Sequence, residues 1–352
     1  MYSVRMLAIA LCAVLAAPQL QETITVSRVV VDARVTEYAG EPITDLSPSD
    51  FDVRIGGKRA IVESAEWIPD SVDGSRLAVG GRPAAPDASP SAFPANRQPS
   101  TANHQPGRLI VLFVQTDFAR NTWRITGHMK FLQYADTLLD TFAPEDRIAV
   151  FSFDSHLKFR LDFSSDRAAI REALRDTVFI DHPPPPPIVP SPSLAAYLDR
   201  DAMRRAAQSE TGLALVANAM RSMPGTKTLL LLGWGLGERT SSGVTMRYQW
   251  RDARVALDAA RVTLFALDTT DADYHTLEAG LIVAAEQTGG FYAKTHLFPR
   301  IAIERLQRTL SGHYELTLRA GEDLPIGTKE LSVRVKRRGA TVLAPTTVFI
   351  RR

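Results

Sequence analysis

Leu109-Ile110-Val111-Leu112-Phe113-Val114-Gln115-Thr116-Asp117-Phe118 is the stretch on which the fold turns. Residues 109–114 are all apolar and leave no polar face, so a strand made from them must be covered on both sides. Strands of that kind belong to parallel sheets flanked by helices. Ile125, Met129, Leu132, Leu138, Leu139 and Phe142 follow at near-helical spacing up to Pro144, and 147–153 is a second apolar strand. Strand, helix and strand make a βαβ unit.

Downstream the alternation continues. The pattern predicts a strand at 157–163, then a helix capped by Ser165 with Ile170 and Leu174 on its apolar side, and a proline-rich loop at 182–192. A long helix over 194–223, breakable near Ser209, leads into a core strand at 228–232. Helices at 251–260, 277–288 and 301–310 then alternate with strands at 263–268 and 291–293. Residues 108–312 are therefore expected to form an α/β domain with a Rossmann-like, doubly wound sheet.

Upstream, Ile24, Val26, Val29, Val31, Ala33 and Val35 recur at near-alternate positions before the turn residues 38–42. Further strands at 51–55, ending on Gly56-Gly57, and at 60–68 complete an N-terminal β-module over 22–70. A unit of about 50 residues needs a neighbour to bury enough surface. Residues 71–107 are rich in Pro, Ala, Ser, Gly and Asn and read as a flexible linker. Beyond 312 the period returns to two at 314–318, 331–335 and 347–350, a C-terminal β-unit over 313–352 that packs on the α/β domain or on the first module.

Composition restricts the function. Lys+Arg 41 against Asp+Glu 39 gives the 352-residue chain a net charge of +2, which excludes a basic nucleic-acid binder, and 45% hydrophobic residues suffice for a real core. Arg5, the apolar run 6–16 and Val14-Leu15-Ala16 before a cut predict a signal peptide over 1–16, too short to span a membrane. The expected location is periplasmic or secreted, with no transmembrane segment after cleavage. Leu11 before Cys12 argues against lipid attachment, and cleavage removes the chain's one cysteine.

The first core strand with its loop resembles the opening of a von Willebrand factor A-type domain, where a strand feeds an Asp-x-Ser-x-Ser loop. Ala143-Pro144-Glu145-Asp146-Arg147-Ile148-Ala149-Val150-Phe151, Phe163-Ser164-Ser165-Asp166-Arg167 and Pro224-Gly225-Thr226-Lys227-Thr228-Leu229 extend the likeness, as do Phe265-Ala266-Leu267-Asp268 and Ala284-Ala285-Glu286-Gln287-Thr288-Gly289-Gly290. Together they resemble the VWFA-related domain proteins of acidobacterial secretomes, which begin with a signal peptide and a Gly-x-Pro-x-x-x-Leu-x-x-x-Asp-Phe β-module. Gly40 to Phe51 carries that pattern here. The likeness covers most of 22–350 outside the linkers, and its weight lies in the order of its motifs.

The resemblance implies partner binding through a divalent ion at the C-terminal edge of the sheet, held by oxygen ligands. In this chain the first Asp falls on Gln115, the first Ser on Asp117, the second Ser on Ala119 and the later Asp on Trp234. Thr211 alone matches in kind, and moving the first Asp to Asp117 puts Ala119 and Asn121 at the serine positions. Asp117 and Thr211 are the residual metal candidates and supply too few oxygens. The expectation is a degenerate metal-ion-dependent adhesion site that holds neither Mg²⁺ nor Ca²⁺, and no cofactor. Gln115, Asp117, Phe118, Thr211 and Trp234 are the interaction candidates. Phe118 and Trp234 read equally as interface anchors or as fillers of the vacated ion site.

Catalytic patterns are thin. Gly233-Trp234-Gly235-Leu236-Gly237 reads as a turn at the sheet edge, since Glu238 is anionic and 239–243 does not open a helix. The seven histidines show no zinc or triad spacing. Asp154 and His156 read as a solvated strand-end pair, and Pro183 to Pro187 as a rigid spacer. The chain is therefore read as a non-enzymatic, adhesion-like protein with a protein partner. A metal-dependent adhesion module with rearranged Mg²⁺ or Ca²⁺ ligands is the alternative, and an uncharacterised hydrolase the third reading.

Overall fold

Residues 28–38, 40–70, 107–118, 121–180, 183–184, 186–187, 190, 192–321 and 324–350 are described by the computed structural model. The signal segment 1–16, residues 71–106 of the linker, Ala119 and positions 182, 185, 188, 189 and 191 of the proline-rich loop lie outside the described residues.

The chain enters through β1 (Arg28–Thr36), β2 (Phe51–Ile55), β3 (Lys58–Arg59) and β4 (Ile61–Pro69). After residue 106 come β5 (Leu109–Gln115), α1 (Thr122–Leu132), α2 (Ala135–Leu139), β6 (Arg147–Phe153), β7 (Leu157–Ser164), α3 (Arg167–Phe179), α4 (Arg200–Arg205) and α5 (Ser209–Met220). Next are β8 (Lys227–Gly233), β9 (Glu238–Thr240), β10 (Gly243–Thr245), α6 (Gln249–Ala260), β11 (Val262–Asp268), α7 (Glu278–Gln287), β12 (Tyr292–Lys294) and α8 (Pro299–Thr309). Four strands close the chain: β13 (Gly312–Arg319), β14 (Gly327–Val335), β15 (Thr341–Leu343) and β16 (Thr347–Ile350).

Six strands build the central sheet in the order β12-β11-β8-β5-β6-β7, parallel except for the antiparallel edge strand β7. All seven residues of β5 are buried. Its alternate side chains serve two cores, as the period of two requires. Leu109, Val111 and Phe113 join a cluster covered by α5, α6 and α7, whereas Ile110, Leu112 and Val114 join one covered by α2, α3 and α8. Helices on both faces of a mostly parallel sheet give the doubly wound α/β organisation that the resemblance to type A domains implies. No helix among the described residues is long and apolar enough to cross a membrane.

Three helix expectations are corrected. The helix drawn from Ile125 to Phe142 is two helices, α1 and α2, and Ile125 and Met129 face solvent while Gly127, His128 and Phe131 are buried. A Cβ on Gly127 would sit 1.9 Å from the Thr269 carbonyl oxygen, so the absent side chain lets α1 press its Gly127 face onto the 269–271 backbone. The candidate helix over 194–223 does break beside Ser209, at an extended Gln208 between α4 and α5, but it is shorter than expected and starts only at Arg200. Finally, α3 is capped by Asp166 rather than Ser165, its carboxylate accepting from the Ala168 and Ala169 N–H groups.

The β-segments also pair differently from the division into 22–70 and 313–352. One four-stranded sheet runs β15-β1-β13-β4 and a second runs β16-β14-β2-β3. β1 and β4 do not pair with each other. Both flank β13, and β2 is held by β14. The expected module and terminal unit are therefore one double-sheet unit with a shared core that includes Val31, Val53, Leu316 and Ile350. Alternation in sequence marks strands but not their partners, and here the partners come from opposite ends of the chain. The Gly40–Phe51 stretch seals this unit. The Ser47 N–H donates to Asp50 Oδ2 at 2.8 Å, and the Leu46 N–H to the buried Tyr314 hydroxyl at 2.9 Å.

Candidate binding groove at the C-terminal edge of the sheet

Parallel strands end together, so Gln115, Phe153, Gly233 and Asp268 lie along one edge of the sheet. Gln115 is buried there. Its Nε2 donates to the Gly235 carbonyl at 2.8 Å and to Ser209 Oγ at 3.0 Å, while its Oε1 accepts from the N–H groups of Trp234 at 2.9 Å and Gly235 at 3.2 Å. The amide thus ties β5 to the turn after β8 and to the start of α5. Gly233 makes this possible, because a Cβ there would lie 2.2 Å from Gln115 Oε1.

A cavity of about 180 Å³ opens beside this clamp, lined among others by Asp117, Asp154, Ser209, Glu210 and Trp234. Asp117 lines this cavity. Thr211 does not: it sits one residue further into α5, and the cavity wall is supplied by Ser209 and Glu210. Glu210 is buried and accepts from the Gly237 N–H at 2.9 Å. Asp154 is ion-paired with Lys158, and although burial acts to raise its pKa, that pair and the Ser155 N–H bring it down to about 2. Phe118 turns inward, its ring 5.3 Å from that of His128. Burial pushes His128 down to about 4, so it is neutral at pH 7.

The turn 234–237 leads into the β9–β10 hairpin, and its Trp234 faces a second recess of about 320 Å³. Asn121 caps α1 by accepting from the Trp123 and Arg124 N–H groups, which aims both side chains at this recess. The Arg124 guanidinium stacks on Trp234, 3.3 Å from the ring centroid, and Nη1 donates to the Asp117 carbonyl at 3.3 Å. Burial lowers the Arg124 pKa against the charge of Asp117, from a value high enough to leave it a cation at pH 7. Trp123 and Tyr274 stand exposed on the rim, at 58% and 70%, with exposed Arg239 and part-buried His275. Among the described residues, the recess lining contains no carboxylate.

Of the sequence candidates, Gln115, Asp117 and Trp234 meet at this edge, Phe118 packs inward and Thr211 stands outside the cavity lining. Trp123, Arg124, Arg239 and Tyr274 were not singled out from sequence. Trp123 opens α1 after β5 and Tyr274 lies in the loop after β11, and only the topology brings those two segments together. Among the described residues, one group has metal-ligating composition: Asp268, His275 and Glu278, with donor atoms within 4.8 Å of one another.

No protein-family model matches the chain, and no curated protein sequence matches it. Among solved structures, it is similar to a von Willebrand factor type A protein from Catenulispora acidiphila at 12% identity, with 70% of this chain and 66% of that one covered and a TM-score of 0.40. It is also similar to the vWF domain of the type V pili tip protein Mfa5 from Porphyromonas gingivalis, at 11% identity, 58% and 95% coverage and a TM-score of 0.38. A third likeness is the PilB minor pilin from Streptococcus sanguinis, at 12% identity and a TM-score of 0.33, with 60% of this chain covered. The chain spans 61% of that pilin's length. The doubly wound assignment rests on strand order and register, not on these likenesses.

Proposed function

We propose that this chain is an exported, non-enzymatic, adhesion-like protein that captures a protein partner at the C-terminal edge of its sheet without a hard cation. The observation that carries the reading is the Arg124 guanidinium laid on Trp234 in a recess rimmed by Trp123, Tyr274 and Arg239. Aromatic side chains with Arg are the residues that anchor protein interfaces, since they bury large area around a directional cation. A recess lined by Arg124 and Arg239, with no carboxylate among its described lining residues, suits an acidic segment of the partner. The kinship with acidobacterial secreted proteins belongs to the same proposal.

Loss of the ion site is part of this reading. Gln115 occupies the place of the first Asp and brings an amide whose N–H groups point at Ser209 and Gly235, a donor where a cation needs an oxygen. Trp234 replaces the later Asp. The test is capture of a partner from the native secretome by the full chain, followed by binding of that purified partner to Trp123→Ala, Tyr274→Ala and Arg239→Glu variants. Affinity that falls about 10-fold or more at unchanged melting temperature, and falls with salt in the wild type, supports the reading. Equal affinity across the three variants overturns it.

A further inference from the structure

Two strands from Gln115 along the same edge, three side chains of metal-ligating type converge from three elements. Asp268 ends β11, His275 lies in the following loop, and Glu278 opens α7. His275 Nε2 is 2.7 Å from Asp268 Oδ2, and the Tyr292 hydroxyl lies 2.8 Å from that same oxygen and 3.4 Å from Glu278 Oε2. Asp268 Oδ1 is fixed by the Thr270 N–H at 2.9 Å, which leaves Oδ2 as the inward-facing oxygen. On the far side, Lys294 Nζ pairs with Glu278 Oε2 at 2.7 Å.

We propose that Asp268, His275 and Glu278 form a site for a first-row divalent transition ion of the Zn²⁺ class. Three observations favour it. The donor set of one imidazole nitrogen and two carboxylate oxygens is the one such ions take, with one position left open. Second, the polar partners are shared: His275 and Tyr292 converge on Asp268 Oδ2, and Tyr292 has a single proton for Asp268 and Glu278 together. Third, the donors already stand within 4.8 Å, so small side-chain shifts bring them to metal distance, and His275 lines the open recess through which an ion enters. Lys294 holds the place of the ion in its absence and competes with it. Mg²⁺ and Ca²⁺ are disfavoured, because they prefer all-oxygen shells of six or more ligands. The inference stands on these three donors and is independent of the partner reading.

The test uses the full chain, free of a histidine tag, titrated with Zn²⁺ by calorimetry and with Co²⁺ by visible absorption. Binding is expected at one ion per chain, with a saturable rise in melting temperature that Mg²⁺ does not produce. Glu278→Gln and His275→Ala should weaken it about 100-fold, His296→Ala should not, and Lys294→Met should tighten it about 10-fold by removing the competing cation. Circular dichroism and metal-free melting report whether each variant folds, and Glu278→Gln decides if His275→Ala does not. Absence of binding in the wild type, binding indifferent to Glu278→Gln, or weaker binding in Lys294→Met would each overturn the proposal.

Discussion

The imidazole of His313 lies 3.0 Å from the carboxylate of Asp70, and both side chains are almost wholly buried where the double sheet meets the α/β domain. Arg34 joins from the far side, 3.8 Å from Asp70, and donates to Thr263 Oγ1 of β11 at 3.0 Å. Burial alone would raise the Asp70 pKa, but the His313 hydrogen bond and the charges of His313, Arg34 and Arg108 outweigh it and hold the group below its usual range. A depressed folded-state pKa contributes stability that is present above the unfolded value, about 3.9, and is lost as pH falls through the folded value. Urea unfolding should therefore show a drop in stability below about pH 4. Asp70→Asn should flatten that acid limb while costing about 3–5 kcal/mol at pH 7, because it leaves Arg34 buried without its partner. An unchanged acid limb in the variant would assign it to other carboxylates.

Asp258 runs the other way. It is largely buried on α6, accepts from Thr347 Oγ1 of β16 at 2.8 Å, and is pushed up to about 6 by burial, with Thr347 and Arg254 opposing. A raised acid pKa favours the fold below the unfolded value, and that contribution disappears as pH rises through about 6. Asp258→Asn is expected to gain about 1–3 kcal/mol at pH 8 and almost nothing at pH 4. Chemical denaturation at the two pH values measures the difference directly, and equal gains at both would show that the charge is not the cause.

Removing the Gln115 amide should be expensive. Gln115→Ala deletes four hydrogen bonds and leaves the Trp234 and Gly235 N–H groups without their acceptor in a buried turn. We expect a loss of about 2–4 kcal/mol and a red-shifted Trp emission as Trp234 loosens from Arg124. In the wild type, millimolar Mg²⁺ is expected to leave the melting temperature unchanged. A saturable rise abolished by Asp117→Ala would show that a hard-cation site survives there.

Gly127→Ala tests how α1 is placed. Its Cβ has no room against the Thr269 carbonyl, so the helix must lift and take Trp123 and Arg124 with it. A destabilisation of about 3 kcal/mol is expected, in contrast to the small gain Ala normally brings to a helix interior. Differential scanning calorimetry distinguishes the two signs.

The doubly wound domain was legible because its strands are buried on both faces. The apolar runs at β5 and β6 and the run inside β8 mark central strands to within a residue, as continuous hydrophobicity in a short segment should. The orientation of α1 was hidden, since Ile125 and Met129 have helical spacing while the buried stripe depends on the absent side chain of Gly127. Gln115 and Trp234 could be read from the loop alignment. Trp123, Tyr274, His275 and Glu278 could not, because their proximity is created by strand order and no fixed sequence spacing encodes it.

Interleaving of the chain's two ends has a kinetic consequence. Ala33 pairs with Tyr314 and Trp67 with Tyr314, so β1 and β4 both await a central strand translated only after the α/β domain. A nascent chain that stops before residue 312 has every strand and helix of the α/β domain and no partner for β1 or β4. Closure over so long a span is entropically costly and slow, and in the folded chain the intervening domain bridges it by holding Arg108 against the Leu310 carbonyl. The α/β domain thus lies between strands that must meet, and β1 and β4 keep unpaired edges until β13 is made.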